Sequence, residues 1–219
     1  CGEINKIYTI MKKLGILLFA CITALNLWAE EFTIGKLTFI IETPTTVILI
    51  DADEDIRNVN LSETIEYKGN SYTLTYIEEF AFSGCKSLKS LTIPNSVTSI
   101  GAYAFSGCKS LTSVTIPNSV TSIEDGAFDG CTSLTSVTIS NSVAWIGEVV
   151  FRGCTSLTSV TILEGATSIG YWTFSGCKSL KSVIIPNSVT SIGEGTFSGC
   201  KSLTSVIIPK GVTSIGGYA

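Results

Sequence analysis

Residues 111–133 read Leu-Thr-Ser-Val-Thr-Ile-Pro-Asn-Ser-Val-Thr-Ser-Ile-Glu-Asp-Gly-Ala-Phe-Asp-Gly-Cys-Thr-Ser, and the pattern recurs every 23 residues. We number each pass from its leucine: Leu88, Leu111, Leu134, Leu157, Leu180 and Leu203. A period this constant specifies a solenoid, in which each repeat is one coil stacked on the last. Positions 4 and 6 are aliphatic, as in Val114 and Ile116, with polar Ser113 and Thr115 around Val114. That alternation predicts a half-buried strand.

Proline follows at position 7 in Pro94, Pro117, Pro186 and Pro209. Lacking an N–H, it ends the strand ladder. Valine or alanine at position 10 and isoleucine at 13 predict a second short extended segment. Position 18 is phenylalanine in Phe82, Phe105, Phe128, Phe151, Phe174 and Phe197, and the Gly-Cys pair after it supplies a turn. A single coil buries too little apolar surface to offset its conformational entropy, so the coils must stack.

The string Leu-x-x-Val-x-Ile-Pro-x-x-Val-Thr-Ser-Ile-Gly…Ala-Phe-x-Gly-Cys, from about Leu74 to Ala219, resembles the BspA-like leucine-rich repeat of bacterial and protozoan surface proteins. The resemblance implies a curved, right-handed leucine-rich-repeat solenoid with a parallel β-sheet on one face. It also implies a secreted or surface-attached protein, with adhesion to host or matrix proteins as its role. Two coils depart from the pattern: Ser140 replaces proline in one, and Leu163-Glu164-Gly165 stands in the next. Their strand ends are expected to turn differently.

Basic Met11-Lys12-Lys13, apolar Leu14 to Leu27, then Ala29 before Glu30-Glu31 have the layout of a secretory signal peptide cleaved after Ala29. The apolar run is too short for a membrane span, so none is expected in the mature chain. A lipidated Cys21 is the rival reading, weakened by bulky Phe19 and by closeness to Met11. Residues 1–10, upstream of Met11, are expected to be untranslated or vestigial sequence.

Three parts follow: 1–29 as upstream residues plus signal peptide, 30–73 as a β-rich N-terminal cap, and 74–219 as the repeat array. Within the cap, Phe32 to Ile41 and Thr46 to Ile50 are strand-like, and Lys68-Gly69-Asn70 is a hairpin turn. The last coil stops at Ala219, before its phenylalanine. The pattern therefore predicts a longer parent array, with Ser205 to Ile208 as an open strand edge.

The 219 residues are 45% hydrophobic and 15% charged, with net charge −4 and no histidine. No cationic field exists to attract nucleic acid. Without histidine there is no Ser-His-Asp or Cys-His arrangement, and no G-x-S-x-G elbow or phosphate loop occurs. Catalysis needs a unique constellation, which repetition works against, so neither an enzyme (a hydrolase included) nor a cofactor is expected. Cysteines 23 residues apart on one stripe give no zinc tetrahedron. Their side chains run alongside one another, which predicts a row of shielded thiols rather than disulfides. Asp51-Ala52-Asp53-Glu54-Asp55 begins like a calcium loop, but Ile56 and Ser62 replace the required glycine and acid. It reads as a solvated acidic turn.

Binding remains. Thr115, Thr138 and Thr161 belong to an exposed threonine–serine face, interrupted by Lys89 and Lys181. Variation gathers at positions 15 and 16, which hold Tyr103, Tyr171 and Trp172, while Trp145 takes position 12. Exposed aromatics anchor protein interfaces, so these nine residues are the candidate partner-binding set. Against this, the hydroxyls also suit any strand, and the aromatics could pack over the coil turns. The expected function is a secreted or cell-surface recognition or adhesion module, monomeric and non-catalytic. Its partner is an extracellular or host protein, extended or multivalent. The alternative is a passive spacer within a larger multidomain surface protein.

Overall fold

A computed structural model describes residues 30–219; the expected signal peptide, Cys21 and residues 1–10 lie outside the described residues. Strands β1 (Glu31–Ile34), β2 (Leu37–Thr43) and β3 (Thr46–Ala52) form an antiparallel meander, β1 on β2 and β2 on β3. Next come β4 (Asn58–Asn60), β5 (Thr64–Tyr67) and β6 (Asn70–Ile77), with β5 and β6 an antiparallel hairpin. Lys68 and Gly69, with φ of 50° and 78°, make its turn as the sequence suggested. Parallel stacking starts here: β3 pairs with β6, and β6 is the first strand beside the repeats. The 73/74 division therefore falls inside a strand.

The coils that start at Leu88 through Leu180 contribute two strands each, and the coil from Leu203 contributes one. Position 3 onward gives β7 (Ser90–Thr92), β9 (Ser113–Thr115), β11 (Ser136–Ile139), β13 (Ser159–Ile162) and β15 (Ser182–Ile184). Positions 12 and 13 give β8 (Ser99–Ile100), β10 (Ser122–Ile123), β12 (Trp145–Ile146), β14 (Ser168–Ile169), β16 (Ser191–Ile192) and β17 (Ser214–Ile215). The first set forms one parallel sheet in the order β15-β13-β11-β9-β7-β4. The second set extends the N-terminal sheet in the order β6-β8-β10-β12-β14-β16-β17. The solenoid thus carries two parallel sheets, the short segment at positions 12–13 having become a ladder of its own. No helix occurs among the described residues.

A third ladder lies outside both sheets. In the turn before Gly-Cys, Phe82 N–H donates to Ala104 O at 2.7 Å and Gly84 N–H to Ser106 O at 2.7 Å. The same bonds recur in later coils, as from Phe105 to Ala127 and from Gly107 to Asp129, both 2.8 Å. Backbone groups buried in the turn thereby find partners one coil away.

The proline rule explains strand length. In coils with Pro94, Pro117 or Pro186 the first strand stops after three residues. Where Ser140 and Leu163 replace proline, β11 and β13 run to four. Leu163 restores the missing donor, its N–H reaching Ile139 O at 3.0 Å. One expectation differs: Ser205–Ile208 is not a strand, and β15 is the outer strand of that sheet. Ile207 there is 83% exposed.

Between the sheets the inward positions form one cluster from Phe32 to Cys200, within a unit spanning Glu31–Ala219. Phe82, Phe105, Phe128, Phe151, Phe174 and Phe197 stack in sequence, with centroids 5.1–5.8 Å apart and planes within 17°. Removing one ring leaves a cavity walled by two others. Phe128→Ala should therefore cost about 3–5 kcal/mol of stability, while Thr115→Ala on the surface should cost less than about 0.5 kcal/mol. Denaturant titration of both variants checks this; equal losses would overturn the inside–outside assignment.

Candidate interaction surface

The threonine face divides once its hydroxyls are traced. At position 2, Thr112, Thr135 and Thr158 donate to the carbonyl one coil earlier at 3.3, 3.2 and 3.0 Å. These hydroxyls serve the stack. At position 5, Thr115 and Thr138 are exposed and Thr161 is half-buried. Thr115 and Thr138 border a depression of about 320 Å³ that also reaches Ser140 and Leu163. It lies where the two proline-free coils depart from the repeat. Lys89 and Lys181 are exposed but do not line it.

The aromatic candidates split into two pairs. Position 16 adopts left-handed backbone in every coil, with φ of 53° at Tyr103, 50° at Val149 and 55° at Trp172. Such a conformation costs roughly 1–2 kcal/mol outside glycine. Gly126 and Gly195 fill the same position in the coils after Tyr103 and Trp172, and the rings lie on them. A Cβ on Gly126 would sit 2.2 Å from the Tyr103 ring, and one on Gly195 2.5 Å from the Trp172 indole. Phe80 stacks on the other side of Tyr103 at 5.4 Å. Tyr103 and Trp172 are turn-packing residues, as the second reading of the aromatics allowed.

Trp145 and Tyr171 are different. Trp145 pairs with Ser122 of β10 and stands in a row that begins at Tyr76 and otherwise holds serines, including Ser99, Ser168 and Ser191. It is 44% exposed and Tyr171 52% exposed. Between them lies a trough of about 330 Å³ floored by Gly147, Gly170, Gly193 and Gly216 and edged by Glu148 and the serine row. Glycine lets the coils touch there: a Cβ on Gly170, as the coils now stand, would lie 2.4 Å from Gly147 O. The structure thus gathers Thr115 with Thr138 at one site and Trp145 with Tyr171 at another, on separate sheets.

Several interacting residues escaped the sequence reading. Arg152 forks onto Asp129 one coil earlier, Nε to Oδ1 at 3.0 Å and Nη2 to Oδ2 at 2.7 Å. The Glu164 carboxylate accepts from Asn187 and Ser188 N–H at 3.1 and 3.0 Å. Glu148 lies on the trough, where the neighbouring aromatics drew the sequence reading instead. For Arg152 and Asp129 the available signal was two unusual residues at position 19 of consecutive coils, and for Glu164 it was one unusual residue at position 8.

The six described cysteines are free and buried. From Cys108 to Cys200 each Sγ points at the phenylalanine carbonyl of the preceding coil, 3.1–3.3 Å away. Burial pushes the thiols of Cys85 and Cys131 up to about 12 and that of Cys200 to about 11. It raises Cys108, Cys154 and Cys177 as well. They are poor nucleophiles for the same reason. In the acidic turn, the hydrogen bond from Lys36 to Asp55 holds that carboxyl below its ordinary value. Among the described residues no group of three or more histidine, cysteine or acidic side chains is placed to hold a metal ion.

A family profile described as BspA type leucine rich repeat region matches residues 60–180 and 121–219, in six copies. A leucine-rich repeat protein from Bacteroides ovatus superposes with TM-score 0.77 at 34% identity, over 85% of this chain and 49% of its own. A leucine rich cell surface protein from Faecalibacterium prausnitzii gives 0.76 and 35%, over 85% and 50%. The T. pallidum leucine rich repeat protein gives 0.75 and 31%, over 85% and 86%. The chain therefore spans about half the length of the first two. Among curated proteins none matches.

The two aromatic pairs should respond differently. Gly195→Ala should lower stability by more than about 1 kcal/mol, because it strains the backbone and displaces the Trp172 ring. Tyr171→Ala should leave stability within about 0.5 kcal/mol, as for a surface change. Thermal unfolding of the two variants checks the division.

The thiols give a pH signature. Unfolded, they ionise near about pH 8.5, whereas folded they stay protonated. Their contribution is complete below that pH and is lost as pH rises toward 11–12, where the folded Cys85, Cys131 and Cys200 ionise. The slope is up to about 1.4 kcal/mol per pH unit for each thiol. The Tm should fall steeply from about pH 9 to pH 10, and less steeply in Cys154→Ala. A flat profile would contradict the buried-thiol account.

Proposed function

Because the chain belongs to the BspA-type leucine-rich repeat family, we propose that it is a secreted or cell-surface recognition module that binds a partner protein without catalysis. One structural relative is described as a cell surface protein, and residues 11–29 have the pattern of an export signal. No described helix is long and apolar enough to cross a membrane. Residues 30–73 act as the cap, their Phe39, Val47 and Leu49 joining the same buried cluster as Phe82.

The observation that carries the reading is the exposure of Trp145 and Tyr171, two large aromatics about half open to solvent, beside one trough. Aromatic anchors of this kind dominate protein interfaces. Thr115 and Thr138 offer a second, weaker contact on the other sheet, and Thr161, Lys89 and Lys181 are proposed to extend it along the same face. Two separated contacts on one rigid solenoid suit a long or repeated partner, where avidity supplements local affinity.

Saturable binding of the labelled protein to immobilised matrix proteins or intact cells tests the reading. The double variant Trp145→Ala/Tyr171→Ala should weaken it at least about tenfold, the loss of one or two interface anchors. Its Tm should stay within a few degrees of the parent. Absence of saturable binding would sink the proposal and leave the spacer reading.

A further inference from the structure

We propose that the trough between Trp145 and Tyr171 receives arginine or lysine side chains from an extended basic segment of the partner, an inference that rests on the recognition reading above. The first ground is charge. Positions 12–16 of the seven passes that begin at Tyr76, Ser99, Ser122, Trp145, Ser168, Ser191 and Ser214 contain six carboxylates and no lysine or arginine. The cations of the repeats stand elsewhere in the coil, at position 22 in Lys86, Lys109, Lys178 and Lys201, at position 2 in Lys89 and Lys181, at position 8 in Lys210 and at position 19 in Arg152, which is paired with Asp129. The trough side of the solenoid is therefore complementary to a cationic partner, and it repels phosphate-bearing or other anionic ones.

The second ground is that the carboxylates are not equivalent. Glu124 accepts Ala102 N–H at 3.1 Å, and Asp125 accepts Glu148 N–H at 2.7 Å. Glu78 accepts Glu79 N–H at 3.2 Å. The exposed carboxylates of Glu148 and Glu194 have no hydrogen-bond or ion-pair partner among the described residues. Glu148 lines the trough directly, and Glu194 follows Gly193 of its floor.

The third ground is the pairing of an acid with exposed rings. A guanidinium or ammonium over the face of Trp145 or Tyr171 is held by the ring quadrupole. Glu148 can then accept its N–H groups in a charge-assisted bond. The trough runs across four coils, from Trp145 to Ser214, which at about 4.8 Å per coil is roughly 14 Å. An extended segment of about four residues covers that length. The strands beneath are hydrogen-bonded coil to coil, so side chains rather than strand addition make the contact. At about 330 Å³ the trough suits one or two side chains, being at the lower limit of small-molecule pockets.

The test titrates the full chain with an acetylated, amidated Gly-Ser octapeptide carrying two arginines, following tryptophan fluorescence. Parallel titrations use its citrulline and glutamate counterparts and a neutral oligosaccharide. The arginine peptide should bind at least tenfold tighter than the citrulline peptide, and the glutamate peptide should not bind. Glu148→Gln should weaken the arginine peptide about fivefold and leave the citrulline peptide and the Tm unchanged. Added salt should weaken only the arginine peptide. Equal affinity for arginine and citrulline peptides, an unchanged Glu148→Gln, or preference for the oligosaccharide would overturn the inference. If the peptides fail while Trp145→Ala/Tyr171→Ala still abolishes binding to the whole partner, the basic occupant is wrong and the recognition reading stands. If that variant binds the partner normally, both fall.

Discussion

Everything in this structure depends on hydrogen bonding from one coil to the same place in the next. Three ladders provide it, namely the sheet at position 3 onward, the sheet at positions 12–13, and the irregular ladder through the phenylalanine turn. A buried backbone group has no water to bond, so each must meet its equivalent one coil away. One residue more or fewer would break all three registers together. That is why the period stays at 23 residues while surface residues vary. The side chains obey the same rule. Phenylalanine rings stack on phenylalanine, and each thiol from Cys108 onward aims at the carbonyl of the preceding phenylalanine. Position 2 threonines donate to the coil before.

Under such a rule a departure in one coil is felt by its neighbour, and most departures are answered there. Tyr103 and Trp172 occupy strained left-handed positions, and a glycine follows each in the next coil to make room for the ring. Asp129 is answered by Arg152 and Glu164 by the free N–H groups at 187 and 188. Leu163 gives the ladder a donor that proline would have withheld. Trp145 and Tyr171 remain about half open to solvent beside the trough. Large aromatic area left open to solvent beside a trough is best explained by something outside the stack.

The pattern at Leu111 to Ser133 made the coil, its inward residues and its first sheet legible, because burial and alternation are local properties that repeat. The strand length at Ser140 and Leu163 was legible in outline, since proline's missing donor is a property of the residue itself. The second sheet was less so. Two residues, Ser122 and Ile123, carry too little periodicity to declare a ladder, and only stacking makes them one. Ser205–Ile208 has the strand pattern and lies outside the ladder, which shows that pattern without pairing does not make a strand.

The sequence alone determined that the chain is a stacked repeat, which residues face inward, and that the cysteines form a shielded row. These follow from spacing, since equal spacing puts equal residues in equal surroundings. It could not decide which aromatics are structural and which are free. Tyr171 and Trp172 are adjacent in the chain, yet Trp172 lies over Gly195 while Tyr171 borders the trough. Only the tertiary structure separates them, because the answer depends on what the next coil places beneath each ring.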